Sequence, residues 1–234
     1  MKPFKFKQFT IQQDKTAMKV GTDGVLLGAW AKISDSVDSI LDIGTGTGLI
    51  ALQMAQRGDC QMIDALEIEA DAFEQAVVNF ENSNWGDRLF CYHASLEEYV
   101  KEFDETYDLI ISNPPFYNAT YKELEPKRAL ARHTKNLTFE KLLFSTSKLL
   151  SKKGTSAFII PYQEESKFLE LAAKNKLFPL RITRVKGNFK TDFKRTLLQL
   201  GPIKTTPKIN ELVIEIERHV YTEEYKKLVE DFYL

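Results

Sequence analysis

The chain has 234 residues, of which 43% are hydrophobic and 28% charged, and a formal net charge of −1. This predicts one globular domain over residues 1–234 and argues against a strong whole-molecule attraction for polyanions, while the scattered cysteines and histidines predict neither a disulfide framework nor a metal site. No stretch approaches the roughly 20 apolar residues that span a bilayer, so we expect a cytoplasmic monomer without a membrane partner.

The N-terminal residues 1–19 carry five lysines against one acid. Alternation of apolar and polar residues from Phe4 to Ile11 predicts a short strand or hairpin arm there. The lysines fit a phosphate-facing role and a solvated terminus equally well. The polar turn that follows leads into a short apolar helix, for which we expect Thr22 or Asp23 as the N-cap. The same turn can also face a ligand held by the glycine loop downstream.

A strand, a glycine-rich loop and a helix come next. Ser39–Ile43 reads as a buried parallel strand, and Gly44-Thr45-Gly46-Thr47-Gly48 leads directly into an amphipathic helix from Leu49. Glycines allow a sharp turn and a close backbone approach to a ligand at a helix N-terminus. The spacing is GxGxG, tighter than the dinucleotide GxGxxG pattern. The next strand ends at Glu67, where such folds place a carboxylate on ribose hydroxyls.

Ser95 follows the third predicted strand, which spans 88–93. Ser95 and Glu98 have the spacing of a capping box, so we interpret Ser95 as the N-cap of the next helix. Its position at a strand end also allows contact with a nucleobase.

The motif Asn113-Pro114-Pro115-Phe116 stands at the end of a fourth strand, Tyr107 to Ser112. Two prolines commit the backbone to a rigid extended turn. The Asn oxygen and a Pro carbonyl can accept hydrogen bonds from one planar NH2 group, and the aromatic ring offers a stacking face. A strand-ending turn with a core Phe is the alternative. Ligands of open α/β sheets lie outside the carboxyl ends of the strands. We therefore expect this turn and the glycine loop to line one crevice.

The last third of the chain changes from alternating strands and helices to a run of strands. Residues 117–137 predict a substrate loop, and a helix over 138–150 and a strand over 155–160 follow. The strands predicted over 178–185, 195–200 and 211–216 indicate a sheet closed by an antiparallel hairpin, before a final helix from Thr222.

Residues 181–208 contain eight basic side chains and one acid, Asp192. Phe189 and Phe193 lie among these cations, as expected where aromatics stack on bases and Lys or Arg meets phosphates. A solvated hairpin with two anchoring phenylalanines explains the pattern nearly as well. The candidate RNA-binding residues are Arg128, Arg132, Lys186, Lys190, Lys194 and Arg195.

The segments ILDIGTGTG, IDALEIE and SNPPF, in this order, resemble the class I S-adenosylmethionine-dependent methyltransferases that methylate amino groups. More narrowly, MKVGTDGVLLGAW and RALARHT resemble the bacterial tRNA(Val) adenine-N6 methyltransferases, which modify the adenosine just 3′ of the anticodon. The resemblance implies a Rossmann-like α/β fold with a mostly parallel seven-stranded sheet, helices on both faces and an antiparallel C-terminal hairpin. It divides the single domain into an N-terminal segment 1–38, a core 39–180 and a hairpin with a helix over 181–234.

The resemblance also implies the ligands and site residues. S-adenosylmethionine would lie over the glycine loop without a metal, and the substrate would be an adenine of tRNA. Ser95 departs from the pattern, because many relatives have Asp at this strand end. The implied cofactor-binding residues are Thr22, Asp23, Asp42, Gly44, Thr45, Gly46, Gly48, Glu67, Ser95 and Asn113, and the implied catalytic residues are Asn113, Pro114, Pro115 and Phe116.

The sequence leaves other functions open. Glutamine methyltransferases of release factors use a similar turn, but they have an extra N-terminal helical domain and Tyr in place of Phe116, whereas here only 43 residues precede the glycine loop. Methylation of adenine in DNA or ribosomal RNA ranks third, since no sequence-reading module is evident. A catalytically silent RNA-binding protein should show a damaged loop or turn, and both motifs are intact.

Overall fold

A mixed β-sheet forms the centre of the protein in the computed structural model, which describes residues 2–16, 18–115 and 137–234. Apart from it, β1 (Phe4–Lys5) pairs with β2 (Thr10–Ile11) as an antiparallel ribbon. Within the described ranges the main sheet has nine strands. They are β3 (Ser39–Ile43), β4 (Met62–Glu67), β5 (Leu89–His93), β6 (Tyr107–Ser112), β7 (Leu150–Pro161), β8 (Phe178–Asn188), β9 (Phe193–Gly201), β10 (Lys208–Glu217) and β11 (Val220–Tyr221).

The strand order is β11-β10-β8-β9-β7-β6-β3-β4-β5. Strands β3 to β7 are mutually parallel, whereas β9 is antiparallel to both of its neighbours. The predicted fold class and the antiparallel hairpin, β8–β9, are confirmed. The sheet is wider than the seven strands expected. After β9 the chain passes back to the outer side of β8, so β10 pairs with β8 in parallel and β11 extends that edge.

Helices cover both faces of the sheet, because successive residues of the buried strands point to opposite sides. Ile40 of β3 packs in one core and Leu41 in the other. The first core includes residues of α1, α2, α3 and α7, and the second includes residues of α4, α5 and α6. The helices are α1 (Thr22–Trp30), α2 (Leu49–Arg57), α3 (Ala70–Glu81), α4 (Leu96–Glu102), α5 (Phe139–Leu149), α6 (Glu165–Lys174) and α7 (Glu223–Val229), with a 3-10 turn over Tyr162–Glu164.

The N-terminal ribbon is fixed to the C-terminal end of the chain. Phe6 is buried and stacks on Phe9 at 4.7 Å and on Tyr233 at 5.9 Å between ring centroids. The Lys7 backbone N–H donates to the Phe232 carbonyl at 2.9 Å. The predicted hairpin is therefore present, and it joins the two ends of the chain.

The N-cap prediction for α1 is wrong. Gly21 is the N-cap, with extended backbone at φ −132° and ψ 162°, and no side chain caps the helix. The Asp23 side chain instead accepts a hydrogen bond from Arg195, which draws it away from the helix end. The predicted cap Ser95 is confirmed, since it accepts a hydrogen bond from the backbone N–H of Glu98, the third residue of its helix. The final helix was predicted to begin at Thr222, which is instead its N-cap and accepts a hydrogen bond from the Tyr225 N–H.

Candidate active site

The glycine loop is held against the end of the neighbouring strand β4. The backbone N–H groups of Gly44 and Thr45 both donate to the Leu66 carbonyl, at 2.9 Å and 3.0 Å. The three glycines, Gly44, Gly46 and Gly48, have φ angles of +71°, +60° and +81°. An L-residue with a side chain pays roughly 1–2 kcal/mol in this left-handed region, which explains why glycine recurs here.

The loop glycines differ in what surrounds them. A Cβ built on Gly48 would lie 2.5 Å from Cε1 of Phe80, so this glycine lets helix α3 pack closely against the loop. A Cβ built on Gly44 or Gly46 would have no described atom within 4 Å. The loop therefore offers an open backbone surface at the N-terminus of α2, which suits a close-fitting ligand.

Glu67 at the end of β4 fixes this surface. Its Oε2 accepts a hydrogen bond from the Gly46 N–H at 2.9 Å, and its Oε1 accepts from the N–H groups of Ile68 and Glu69 at 2.8 Å and 2.9 Å. The carboxylate is almost fully buried. It thus holds the loop in place at the position where the sequence predicted a ribose contact.

Asp42 lies beneath the loop, and only one of its two carboxylate oxygens is hydrogen-bonded to a described side chain. Its Oδ2 accepts a hydrogen bond from the Thr45 hydroxyl at 2.7 Å, whereas its buried Oδ1 has no hydrogen-bond partner among the described residues. Burial raises the pKa of Asp42 to about 7, against the lowering effect of the Thr45 hydroxyl. A buried carboxylate oxygen without a partner next to an open loop fits a positively charged ligand group, as S-adenosylmethionine would supply.

Asn79 connects the loop to the N-terminal segment, a role that the sequence analysis missed. Its Nδ2 donates to the carbonyls of Thr47 and Gln12 at 2.8 Å and 2.9 Å, and its Oδ1 accepts from the Gln12 N–H at 2.8 Å. Asn79 is buried on α3 beside Ala76 and Phe80. A polar side chain on the apolar face of a helix was the available signal.

The proline turn lies beside the glycine loop. Asp42 of β3 pairs with Ile111 of β6, so Gly44 and Asn113 each follow two residues later at the same sheet edge. The Ser112 hydroxyl donates to the Ile43 carbonyl at 2.7 Å and joins the two strand ends. The sheet therefore brings together the two motifs that the sequence assigned to cofactor and substrate.

The polar groups of the turn make no contact with the rest of the described chain that would occupy them. Pro114 is buried, Asn113 is half-buried and Pro115 is exposed. Within the described part of the chain, the Asn113 side chain and the Pro114 carbonyl make no hydrogen bond. The predicted roles of Phe116, Arg128 and Arg132 fall outside the described residues.

Ser95 is occupied by its helix. Its hydroxyl donates to Glu98 Oε2 at 2.7 Å, its backbone N–H donates to the same oxygen at 2.9 Å, and its Oγ accepts from the Glu98 N–H at 3.2 Å. This reciprocal arrangement is the predicted capping box. Contact of Ser95 with the cofactor stays a prediction.

Two residues predicted for different ligands form an ion pair. Arg195 Nε lies 2.7 Å from Asp23 Oδ2, and both side chains are about one-third exposed. This pair joins the start of β9 to the first turn of α1, next to Thr22. Part of the charge of the predicted RNA-binding Arg195 is thereby balanced within the protein.

The basic hairpin divides into packed and exposed cations. Lys186 Nζ lies 4.2 Å from the centroid of the Phe193 ring and 3.4 Å from Glu211 Oε2. Lys190 and Lys194 are exposed, and no ion pair among the described residues involves them. Among the basic side chains of residues 181–208, Lys190 and Lys194 are therefore the exposed ones near the tip of the hairpin, while Lys204 and Lys208 are exposed beyond its other end.

A cavity of about 440 Å³ lies apart from this site, between the C-terminal end of α1 and the first half of β8. Trp30, Arg57 and Arg181 are among its lining residues, and none of the lining residues was predicted to bind a ligand. The described residues contain no cluster of three or more metal-ligating side chains. No described helix combines the length and apolar character that crossing a membrane requires.

The comparisons with known proteins agree with this geometry. Residues 21–159 match the family model described as methyltransferase small domain. A tRNA1(Val) (adenine(37)-N6)-methyltransferase from Christiangramia forsetii is 58% identical over 234 residues, covering 99% of this chain and 98% of the relative. Relatives of the same name from Flavobacterium johnsoniae and Trichodesmium erythraeum are 55% and 46% identical, each over 99% of this chain and 99% and 97% of their own lengths.

The chain belongs to the tRNA1(Val) (adenine(37)-N6)-methyltransferase family. The solved structures support the fold. A predicted O-methyltransferase from Agrobacterium tumefaciens has a TM-score of 0.70 at 19% identity, covering 90% of this chain and 96% of the other. A ribosomal protein L11 methylase from Lactobacillus delbrueckii has a TM-score of 0.54 at 18% identity, covering 79% and 77% of the two chains. The predicted family, fold and use of S-adenosylmethionine are confirmed.

Proposed function

We propose that this protein transfers the methyl group of S-adenosylmethionine to N6 of adenosine 37 in tRNA1(Val). The observation that carries the proposal is the register of β3 and β6, which sets the Asn113-Pro114 turn beside the glycine loop. Acceptors for an amino group and a cradle for a methyl donor thus share one sheet edge. The names of the family members supply the identity of the tRNA and of the adenosine.

The cofactor half of the site fits the methyl donor. A Cβ on Gly44 or Gly46 would have no described atom within 4 Å, and Glu67 holds that loop. Asp42 Oδ1 makes no hydrogen bond of good geometry within the described residues, although the Ala51 backbone N–H lies near the Asp42 carboxylate. These residues would hold S-adenosylmethionine, which supplies a methyl group activated by its positively charged sulfonium. A strong base is not needed for such a donor, because the sulfonium is already a good leaving group.

The substrate half would prepare the adenine amino group as a nucleophile. The N6 lone pair of adenine is delocalised into the ring, so it must be localised and aimed before it can attack. Asn113 Oδ1 and the Pro114 carbonyl would accept hydrogen bonds from the two N6–H groups, and this would fix the direction of the lone pair. Orientation of this kind can contribute roughly 7–11 kcal/mol to lowering the barrier. Formation of the N6–C bond would accompany cleavage of the sulfur–methyl bond, so that neutral S-adenosylhomocysteine would leave, and one N6 proton would pass to water.

An anticodon-loop adenosine is a suitable target. A loop nucleotide is unpaired, so moving its base into a protein site costs less than extruding a base from a duplex. Glutamine methylation needs the same pair of acceptors, but the relatives found over nearly the whole chain carry the tRNA name.

The proposal is tested by labelled methyl transfer from S-adenosylmethionine to three substrates in parallel. These are tRNA1(Val) transcribed without modifications, a release factor and duplex DNA. We expect label in the tRNA alone. Label in the release factor alone would overturn the proposal, and no label in any substrate, with S-adenosylmethionine still bound, would favour a silent RNA-binding protein.

A further inference from the structure

The tip of the β8–β9 hairpin, residues 189–192, stands above the active-site edge of the sheet. Ser112 at the end of β6 is level with Phe158 of β7, which is level with Leu198 of β9. The last hairpin pair, Lys186 with Phe193, lies five residues beyond that level along β9. At about 3.4 Å per residue and about 4.8 Å per strand spacing, the tip lies roughly 20 Å from the Asn113 turn.

Phe189 is presented to the outside at this tip. Its side chain is 66% exposed, which is unusual for a phenylalanine. The turn that carries it is fixed, since the Lys190 N–H donates to Asn188 Oδ1 at 2.9 Å and the Thr191 hydroxyl donates to the Asn188 carbonyl at 3.0 Å. A rigid turn that holds an apolar ring in water suits an outside partner that covers the ring.

The second aromatic of the hairpin has a different role. Phe193 packs against Tyr162 at 5.1 Å between ring centroids and is covered by the Lys186 ammonium. It therefore anchors the hairpin to the body of the protein. Phe189 lies beyond this anchor and has no ring contact with a described residue.

The charges around Phe189 select the class of partner. Arg184 is engaged by Glu165 at 2.7 Å and Arg195 by Asp23, so these cations brace the hairpin. Lys190 follows Phe189 within the tip and Lys194 lies just beyond it; both are exposed, as is Asp192, the acid between them. An exposed ring with two exposed lysines within five residues of it in the chain matches single-stranded RNA, in which bases stack on aromatics and phosphates meet lysines.

We propose that Phe189 stacks on an unpaired base of the same tRNA loop whose adenosine is held at Asn113, and that Lys190 and Lys194 contact the adjoining phosphates. The inference rests on the proposed function, because it takes the tRNA as the substrate of that site. In this proposal the hairpin positions the RNA, and the proline turn binds the reacting amino group.

The test compares variants of the full-length protein on unmodified tRNA1(Val) transcript. We expect Phe189→Ala to raise the KM for tRNA by about 5- to 150-fold, as stacking on one base implies, with kcat and S-adenosylmethionine affinity near the wild-type values. Phe189→Trp keeps a stacking face and should retain most of the activity. The matched control is Phe144→Ala, since Phe144 is 52% exposed on α5 beside Lys148 and lies outside the hairpin.

A spectroscopic signature separates stacking from a general loss of affinity. Transcripts with 2-aminopurine at single loop positions are titrated with wild-type protein and with Phe189→Ala. At one position we expect a fluorescence change that the wild type and Phe189→Trp give and Phe189→Ala does not. An unchanged KM for Phe189→Ala, or identical fluorescence at every position, would overturn the proposal while leaving the methyl transfer of the wild type intact. Failure of the wild type to methylate any tRNA would instead refute the proposed function.

Discussion

The two halves of the active-site edge are built in opposite ways. On the cofactor side, the N–H groups of Gly44, Thr45 and Gly46 are all held by the end of β4. On the substrate side, the Asn113 side chain makes no hydrogen bond within the described residues, and Phe189 is exposed. In the proposed function, S-adenosylmethionine would therefore meet a surface that the protein has already fixed, whereas the tRNA would itself supply the partners of the exposed groups.

Replacement of Asn113 should have the largest effect, and only on the substrate side. Asn113→Ala removes one acceptor for the amino group, so we expect kcat to fall at least about 100-fold with little change in S-adenosylmethionine affinity. Steady-state methylation and calorimetric titration of the cofactor measure the two quantities. Asn113→Asp keeps an acceptor oxygen and should retain more activity than Asn113→Ala. A folded Asn113→Ala protein that no longer binds the cofactor would show that the turn belongs to the cofactor half.

Two alanine substitutions in the glycine loop should separate packing from ligand contact. Gly48→Ala combines a left-handed backbone with a Cβ 2.5 Å from Phe80, so we expect it to lower the free energy of unfolding by about 2–4 kcal/mol. Gly46→Ala adds a Cβ with no described atom within 4 Å and should cost only about 1–2 kcal/mol, yet weaken S-adenosylmethionine binding at least about 10-fold. Chemical denaturation and cofactor titration check both variants. If Gly48→Ala and Gly46→Ala lost the same cofactor affinity and the same free energy of unfolding, the distinction between the two glycines would be wrong.

The pH dependence of stability should reveal the buried carboxylate of the cofactor half. The pKa of Asp42 is raised to about 7 in the folded protein, so between about pH 4 and 7 the folded state holds a proton that the unfolded state has lost. Protonated Asp42 therefore stabilises the folded state relative to the ionised form. The free energy of unfolding should fall by up to about 4 kcal/mol as the pH rises through this window. Without cofactor, the difference in unfolding free energy between wild type and Asp42→Asn should decrease from pH 4 to 7. Parallel curves would show that Asp42 stays ionised.

The smallest expected effect concerns the exposed lysines of the substrate half. Replacing Lys190 and Lys194 together by Gln should weaken tRNA binding and reduce the slope of log affinity against log salt by about 1.4, as loss of two phosphate contacts implies. The matched control is the double replacement of Lys152 and Lys153, two exposed lysines near the start of β7, far from the carboxyl ends of the strands. An unchanged slope for the hairpin variant, or an equal change in the control, would show that the hairpin lysines are solvated and do not contact the phosphates of the tRNA.

The cofactor half could be predicted because its signals are local. A buried strand, three glycines and a helix follow one another directly, and Glu67 ends the next strand, so the sequence alone places these groups. The Asp23–Arg195 pair and the Asn79 bridge join residues far apart in the chain, which neither periodicity nor spacing reports. The N-cap of α1 was assigned wrongly because capping propensity ignores such a distant partner. The parallel pairing of β10 was missed because the segment after β9 does not itself show which edge it returns to.

The central claim is that the two halves meet at one adenosine of one tRNA. The most direct measurement is methylation of unmodified tRNA1(Val) with S-adenosylmethionine, followed by nuclease digestion and mass spectrometry of the fragments. We predict one added methyl group, as N6-methyladenosine at position 37, and its absence from a transcript with guanosine at that position. A methyl group at another nucleotide, or incorporation that persists without adenosine 37, would contradict the account.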